Sequence, residues 1–316
     1  MLVTVALLGG ALSACGSGHS GATAATRPPR PAGTPVLPGT GRPQVTIGDK
    51  NFTEQFLLGD LYQQALMAEG FTVMLNPNIG PTEVTIQALQ SGRLDMYPEY
   101  LGTWNSAIAG NPRSFSSPGS ALRAARAYAI AHGLALLRPT PFSDTDAIGV
   151  THAYAVNNDL HAIGDLRRIE AAVTLGAPPQ FQQRQDGLRA VEQTYGFVPA
   201  AFKALDVGAQ YQALDQGSIQ AADVNTTDGQ LAGRGYTLLS DPQRVFGWGN
   251  VVPVVSAKVL AAEGPAFAAT IDSVSALLSA REMRRLNAAV DIYHQDPGTV
   301  ARQFLQAHGL VPKPIG

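Results

Sequence analysis

From Val45 onward, short β-rich runs alternate with amphipathic helical patterns, which restricts the chain to an α/β fold. Val45-Thr46-Ile47-Gly48 reads as a strand, and Leu57, Leu58, Leu61, Ala65 and Leu66 form the apolar stripe of a helix that Gly70 closes. Phe71-Thr72-Val73-Met74-Leu75 is a second strand, residues 82–91 are a second helix ended by Gly92, and Leu94-Asp95-Met96-Tyr97 is a third strand. This βαβαβ order predicts a parallel sheet with helices on both faces. A helix over 121–132 and a strand over 134–137 follow. The run 147–156 then crosses into a second lobe with strands at 172–175, 221–224 and 236–239 and helices at 187–195 and 211–216. Strand 251–255 crosses back, and amphipathic helices at 262–278, 281–293 and 297–308 finish the chain. The expected lobes are 44–146 with 252–316, and 147–251, joined by two crossover segments. Small ligands sit in such interlobe clefts, at the carboxyl ends of the strands.

Between the first strand and its helix lies Lys50-Asn51-Phe52-Thr53-Glu54-Gln55. Unpaired N–H groups at a helix start, with the helix dipole, favour a carboxylate or other small anion, and Lys50 adds a full charge. Asn51 is placed to cap the helix, with Glu54 reaching back in capping-box spacing.

Function classes are excluded by what accompanies this turn. Lys and Arg number 22 against 24 Asp and Glu, so no basic footprint for nucleic acid is present. The histidines show no metal-ligand spacing, and neither a phosphate loop nor a nucleophile elbow occurs. Glu99 and Asp95 are a carboxylate pair that nothing orients for acid–base work. The sequence therefore points to a binder that needs neither metal nor cofactor, without ruling out an enzyme on the same scaffold.

At the amino terminus an apolar run from Leu2 to Leu12 leads into Leu12-Ser13-Ala14-Cys15, which carries the sole cysteine. It resembles a bacterial lipobox: residues 1–14 form a signal peptide and Cys15 carries lipid. The alternative is an ordinary signal peptide with an incidental cysteine. No Lys or Arg precedes the run, as expected if the true start lies upstream of Met1. Residues 15–43, rich in Gly, Ser, Ala, Thr and Pro, read as a flexible tether to the outer face of the cytoplasmic membrane.

Several motifs recur in an order that resembles one family. They are Lys50-Asn51-Phe52-Thr53-Glu54-Gln55, Gly80-Pro81-Thr82-Glu83-Val84 and Asp95-Met96-Tyr97-Pro98-Glu99-Tyr100-Leu101-Gly102-Thr103. Phe181-Gln182-Gln183-Arg184-Gln185-Asp186-Gly187 and Asp223-Val224-Asn225-Thr226-Thr227-Asp228-Gly229 follow. The chain from Val45 to its end resembles the substrate-binding lipoproteins of ABC importers for glycine betaine, choline and related osmoprotectants, the ProX type. The resemblance implies a two-lobed periplasmic-binding-protein-like fold (type II) and a monomer that passes a small-molecule ligand to an ABC permease and its ATPase. It also implies that Lys50, Thr103 and Arg184 hold a ligand carboxylate, bridging the lobes and favouring closure.

The family's aromatic cage for a quaternary ammonium is incomplete here. Tyr100 holds one position, Asp146 stands at the second, Asn225 at the third, and Gly249 at the fourth with Trp248 beside it. Asp144 and Asp146 could attract a cation by charge or accept hydrogen bonds, and Asn51 and Thr226 complete the candidate ligand set. Bland roles compete with these. Lys50 could be a solvated turn residue, Arg184 a surface arginine, Asp146 a structural pair, Trp248 an interlobe packing residue. Of Tyr97 and Tyr100, one is core, and Tyr100 is taken as the ligand residue. A sensory lipoprotein of the same fold, with a different polar carboxylate or polyol-like ligand, is the competing function.

Overall fold

The structure, a computed structural model, describes residues 36–111, 115–184, 186–206 and 208–311 of the 316. The expected signal peptide, Cys15 and the tether up to residue 35 lie outside the described residues. The end of the expected tether is docked: the Gly39 N–H donates to the Glu69 carbonyl at 2.9 Å, and Arg42 Nη1 donates to the Ala262 carbonyl at 2.8 Å.

In the first lobe, β1 (Gln44–Gly48), α1 (Thr53–Ala68), β2 (Thr72–Asn76), α2 (Thr82–Gln90) and β3 (Met96–Tyr100) follow one another. Then come α3 (Leu101–Thr103), a π-helical turn over Trp104–Ile108, α4 (Pro118–Ala131) and β4 (Leu134–Leu136). The second lobe contains β5 (Asp146–Thr151), α5 (His152–Asn158), β6 (Thr174–Ala177), α6 (Leu188–Tyr195), β7 (Ala201–Ala204), α7 (Ala209–Asp215), β8 (Ala221–Asn225) and β9 (Tyr236–Leu238). The chain returns through β10 (Val251–Ser256) to α8 (Ala257–Glu263), α9 (Pro265–Leu277), α10 (Ala280–Asp291) and α11 (Pro297–Ala307).

Both sheets have five strands, ordered β2-β1-β3-β10-β4 and β7-β6-β8-β5-β9. The expected parallel βαβαβ core is present, and each sheet adds one antiparallel strand to its parallel set. β1 runs parallel to β2 and β3, and β6 to β7 and β8. β10 is antiparallel to β3 and β4, and β5 is antiparallel to β8 and β9. Direction follows from where each strand begins. A strand that enters from the other lobe starts at the interlobe side and runs away from it, whereas its neighbours end there.

Each sheet is covered on both faces. In the first lobe Val45 and Ile47 of β1 meet Leu57, Leu61 and Leu66 of α1, together with Phe267, Val274 and Phe304 from the closing helices. The opposite face packs Tyr97, Trp104, Ala125 and Val252. The fully buried Tyr62 and Ser275 hydroxyls share a hydrogen bond of 2.9 Å inside the first of these layers. Gly70, at φ +84°, ends α1 in the left-handed region that favours glycine, and the Phe71 N–H returns to the Leu66 carbonyl.

Two details of the helices differ from expectation. α1 is capped by Phe52 with no side-chain bond, so Asn51 is not its cap; the Glu54 carboxylate is taken up by Tyr100 and Asn287 instead. The helix expected over 262–278 is two, broken at Gly264-Pro265, because proline at the start of α9 cannot continue α8.

The passing segments are themselves cross-linked. Ser143 and Asn250 pair as an antiparallel bridge, the Asp144 N–H donates to the Gly249 carbonyl at 3.0 Å, and the Gly249 N–H donates to Ser143 Oγ at 2.8 Å. Asn250 Nδ2 adds bonds to the Thr140 and Phe142 carbonyls. A second link runs from α10: Arg284 Nε donates to the Thr226 carbonyl and Asn287 Nδ2 to the Thr227 carbonyl.

Candidate ligand-binding site

Lys50 leaves β1 at its carboxyl end but does not stand free. It is 4 % exposed, its backbone N–H donates to Gln55 Oε1, and its ammonium pairs with Glu99 Oε1. Glu99, fully buried in β3, also accepts from the Tyr100 N–H at 2.8 Å and from the Tyr97 and Thr82 hydroxyls. A buried carboxylate with this many donors is a satisfied partner, so the lysine charge is consumed inside the first lobe.

Tyr100 is buried beside this pair. Its hydroxyl donates to Glu54 Oε1 at 2.8 Å, Lys50 Nζ lies 5.3 Å from its ring centre, and Phe52 stacks on it at 6.0 Å. Phe52, 40 % exposed, is an aromatic at the rim that sequence reasoning passed over although it lies inside the leading motif. Tyr97 is core. Thr103 is half-buried at the end of α3, and Asn51 is exposed.

Where the lobes meet, Glu54 Oε2 accepts from Asn287 Nδ2 at 2.9 Å. Burial raises the Glu54 carboxyl above its ordinary range, opposed by bonds from Thr227, Asn287 and Tyr100. Asp144 stands beside it with a buried Oδ1 that has no hydrogen-bond partner; burial, then the Glu54 charge, push its carboxyl well up. Asp228, held by the Tyr211 hydroxyl and the Asn225 N–H, is raised by burial as well.

In the second lobe the carboxyl ends of β6 and β8 and the start of β5 surround a hollow of about 180 Å³, lined by Asp146, Gln180, Phe181, Arg184, Gln210 and Asp223 among others. It lies below the roughly 300 Å³ at which typical ligand pockets begin, so it suits only a small molecule. Arg184 follows the short helix Pro179–Gln182. Its Nη2 pairs with Asp146 and its Nε donates to Asp186 Oδ1 at 3.1 Å. Asp223, 6 % exposed, has a buried Oδ1 without a partner, and burial pushes its carboxyl up to about 7 against the pull of Arg184. Sequence reasoning quoted Asp223 only as motif, and nothing local marks it as facing Arg184.

The remaining candidates are engaged elsewhere or exposed. The Thr226 hydroxyl donates to the Ser143 carbonyl and accepts from the Thr145 N–H, pinning the crossover. Trp248 donates its indole N–H to the Phe115 carbonyl at 2.9 Å, lies under the Arg244 guanidinium at 4.2 Å, and packs on first-lobe core residues. Asn225, paired with Asp146 across β8 and β5, is exposed at the hollow. Gly249 leaves no room for any side chain, because a Cβ there would collide with the Asp144 carbonyl. Among the described residues no group of His, Cys, Asp and Glu is placed to hold a metal.

Comparison with known proteins bears on the family and the fold. Residues 43–307 match the family described as the substrate binding domain of ABC-type glycine betaine transport systems. The glycine-betaine-binding protein of Pseudomonas aeruginosa is 32% identical over 277 residues, covering 84% of this chain and 88% of that protein. The glycine betaine-binding protein YehZ of Escherichia coli K12 is 32% identical over 287 residues, covering 86% and 93%. A crystal structure of a glycine betaine/carnitine/choline ABC transporter protein superposes with a TM-score of 0.79 at 23% identity, covering 84% of this chain and 99% of the other, and so shares the fold.

Proposed function

The chain belongs to the substrate-binding domain family of ABC-type glycine betaine transport systems, and from that premise we propose that it is a non-catalytic solute receptor. It captures a small osmoprotectant-like molecule of the quaternary-ammonium class outside the cytoplasmic membrane and passes it to an ABC permease driven by its ATPase. The observation that carries this reading is the small, polar, arginine-bearing hollow at the strand ends of the second lobe, where open α/β sheets hold ligands.

In this reading the lobes, divided where β5 and β10 begin, close on the ligand, with Tyr100, Phe52 and Thr103 on one side and Asp146, Arg184 and Asn225 on the other. Lys50 shapes the first-lobe wall through Glu99 and does not touch the ligand. Cys15 carries the lipid, residues up to 35 act as the leash, and the receptor works as a monomer. Isothermal titration with glycine betaine, choline, carnitine and proline betaine tests the receptor role, with mass spectrometry of the ligand afterwards. Saturable binding with the ligand recovered intact supports it; binding of none of them, or a new product, rejects it. Release from membranes by Cys15→Ser tests the anchor.

A further inference from the structure

Charge around the second-lobe hollow is arranged against an anion. A carboxylate is best held by two adjacent N–H groups of a guanidinium fork. On Arg184, Nε already serves Asp186 and Nη2 already serves Asp146, so the Nε–Nη2 edge of the fork is taken by protein carboxylates. What the cavity leaves open is the opposite kind of group. Asp223 lines it, 94 % of the residue being buried, and its Oδ1, out of contact with solvent, has no donor. At the lobe junction Asp144 Oδ1 is likewise buried without a partner, with Glu54 and Asp228 close enough to raise its carboxyl. Lys50, the other cation assigned to a ligand carboxylate, is closed off by Glu99. Carboxylates outnumber cations here, and the cations are already matched.

We propose that the ligand is an organic cation bearing a hydroxyl donor and no carboxylate, and that Asp146 determines this choice by occupying Arg184 where a ligand carboxylate would bind. The proposal rests on the solute-receptor reading and specifies its ligand class. A choline-like cation leaves the Asp146–Arg184 pair intact, brings no carboxylate into a carboxyl-rich lining, and carries an O–H to the side of the hollow that Asp223 lines. A zwitterion whose carboxylate takes the Nε–Nη2 edge displaces Asp146 from Arg184 and then holds its own carboxylate against the one displaced.

Choline and glycine betaine are a matched pair of probes, since they share the trimethylammonium group and differ in a terminal alcohol against a carboxylate. Isothermal titration of each into the wild-type protein and Asp146→Asn gives the test. Wild type is expected to bind choline at least 10-fold more tightly than glycine betaine, about 1.4 kcal/mol. Asp146→Asn is expected to gain about 10-fold for glycine betaine while losing affinity for choline. Asparagine keeps the backbone pairing of residue 146 with Asn225, and the wild-type comparison needs no variant at all. A wild-type preference for glycine betaine, or an unchanged ratio in a folded Asp146→Asn, overturns the proposal while the receptor reading survives. Binding of neither probe, nor of carnitine or proline betaine, removes both.

Discussion

Replacing Lys50 by alanine should damage the fold before it damages recognition. The substitution strands Glu99, fully buried, without its cation. Breaking a buried ion pair from one side costs about 3–5 kcal/mol, because the remaining charge keeps its desolvation penalty. Three neutral donors stay on Glu99 after the change, from Tyr97, Thr82 and the Tyr100 backbone, which favours the lower end, about 3 kcal/mol. For a chain of this size that is roughly 6 °C in Tm. Adding Glu99→Gln should recover at least half of the loss, since the stranded charge is then gone. Urea unfolding followed by tryptophan fluorescence suits the experiment, because Trp104 is buried in the same lobe. A Lys50→Ala protein with an unchanged midpoint but more than 100-fold weaker ligand binding would refute the reasoning, and would place the ammonium on the ligand instead.

Acidity should stabilise the protein through Asp49 and Asp223. Burial pushes both carboxyls up to about 7, so the folded chain keeps their protons where the unfolded chain releases them near 4. Stability therefore falls as pH rises between those values, by about 1.6 kcal/mol per group from pH 5.5 to 7, and Asp49→Asn should flatten the slope of the urea midpoint; a flat wild-type profile contradicts this. Gly249→Ala forces a Cβ onto the Asp144 carbonyl and should cost at least about 2 kcal/mol, seen as a lowered Tm or loss of soluble protein. Asn287→Ala removes the bonds from α10 to Thr227 and to Glu54 and should cost about 2 kcal/mol, read as faster proteolysis between the lobes; wild-type resistance would deny the link a role.

The strand–helix alternation, the exchange between lobes and most element positions were legible because apolar periodicity and Gly or Pro punctuation are local signals. Direction was not: Val251-Val252-Pro253-Val254-Val255 looks the same whether it runs parallel or antiparallel, and only its point of entry decides. The short edge strand β7, with its largely exposed residues, and the 3-10 segment Ile163–Ala172 carry too weak a pattern to be found. In the site, residue identities were legible while their partners were not. Lys50 finds Glu99 49 positions away, Arg184 finds Asp146 across the β5–β8 edge, and Glu54 finds Asn287 from the far end of the chain. Each looked free in the sequence because its neutralising group belongs to another element.

The bridged crossover has a consequence for how little a ligand needs to do. Two segments tied by Ser143–Asn250, Asp144–Gly249 and the Asn250 side chain resist splaying and sliding, and yield mainly by twisting or bending along one line. Domains hung on loose linkers would surrender much orientational freedom each time they came together; here most of that freedom was given up once, when the ribbon folded. Opening and closing then reduce to a narrow path with a small entropic barrier. A solute no larger than the 180 Å³ hollow, with few groups to offer, can shift such a balance.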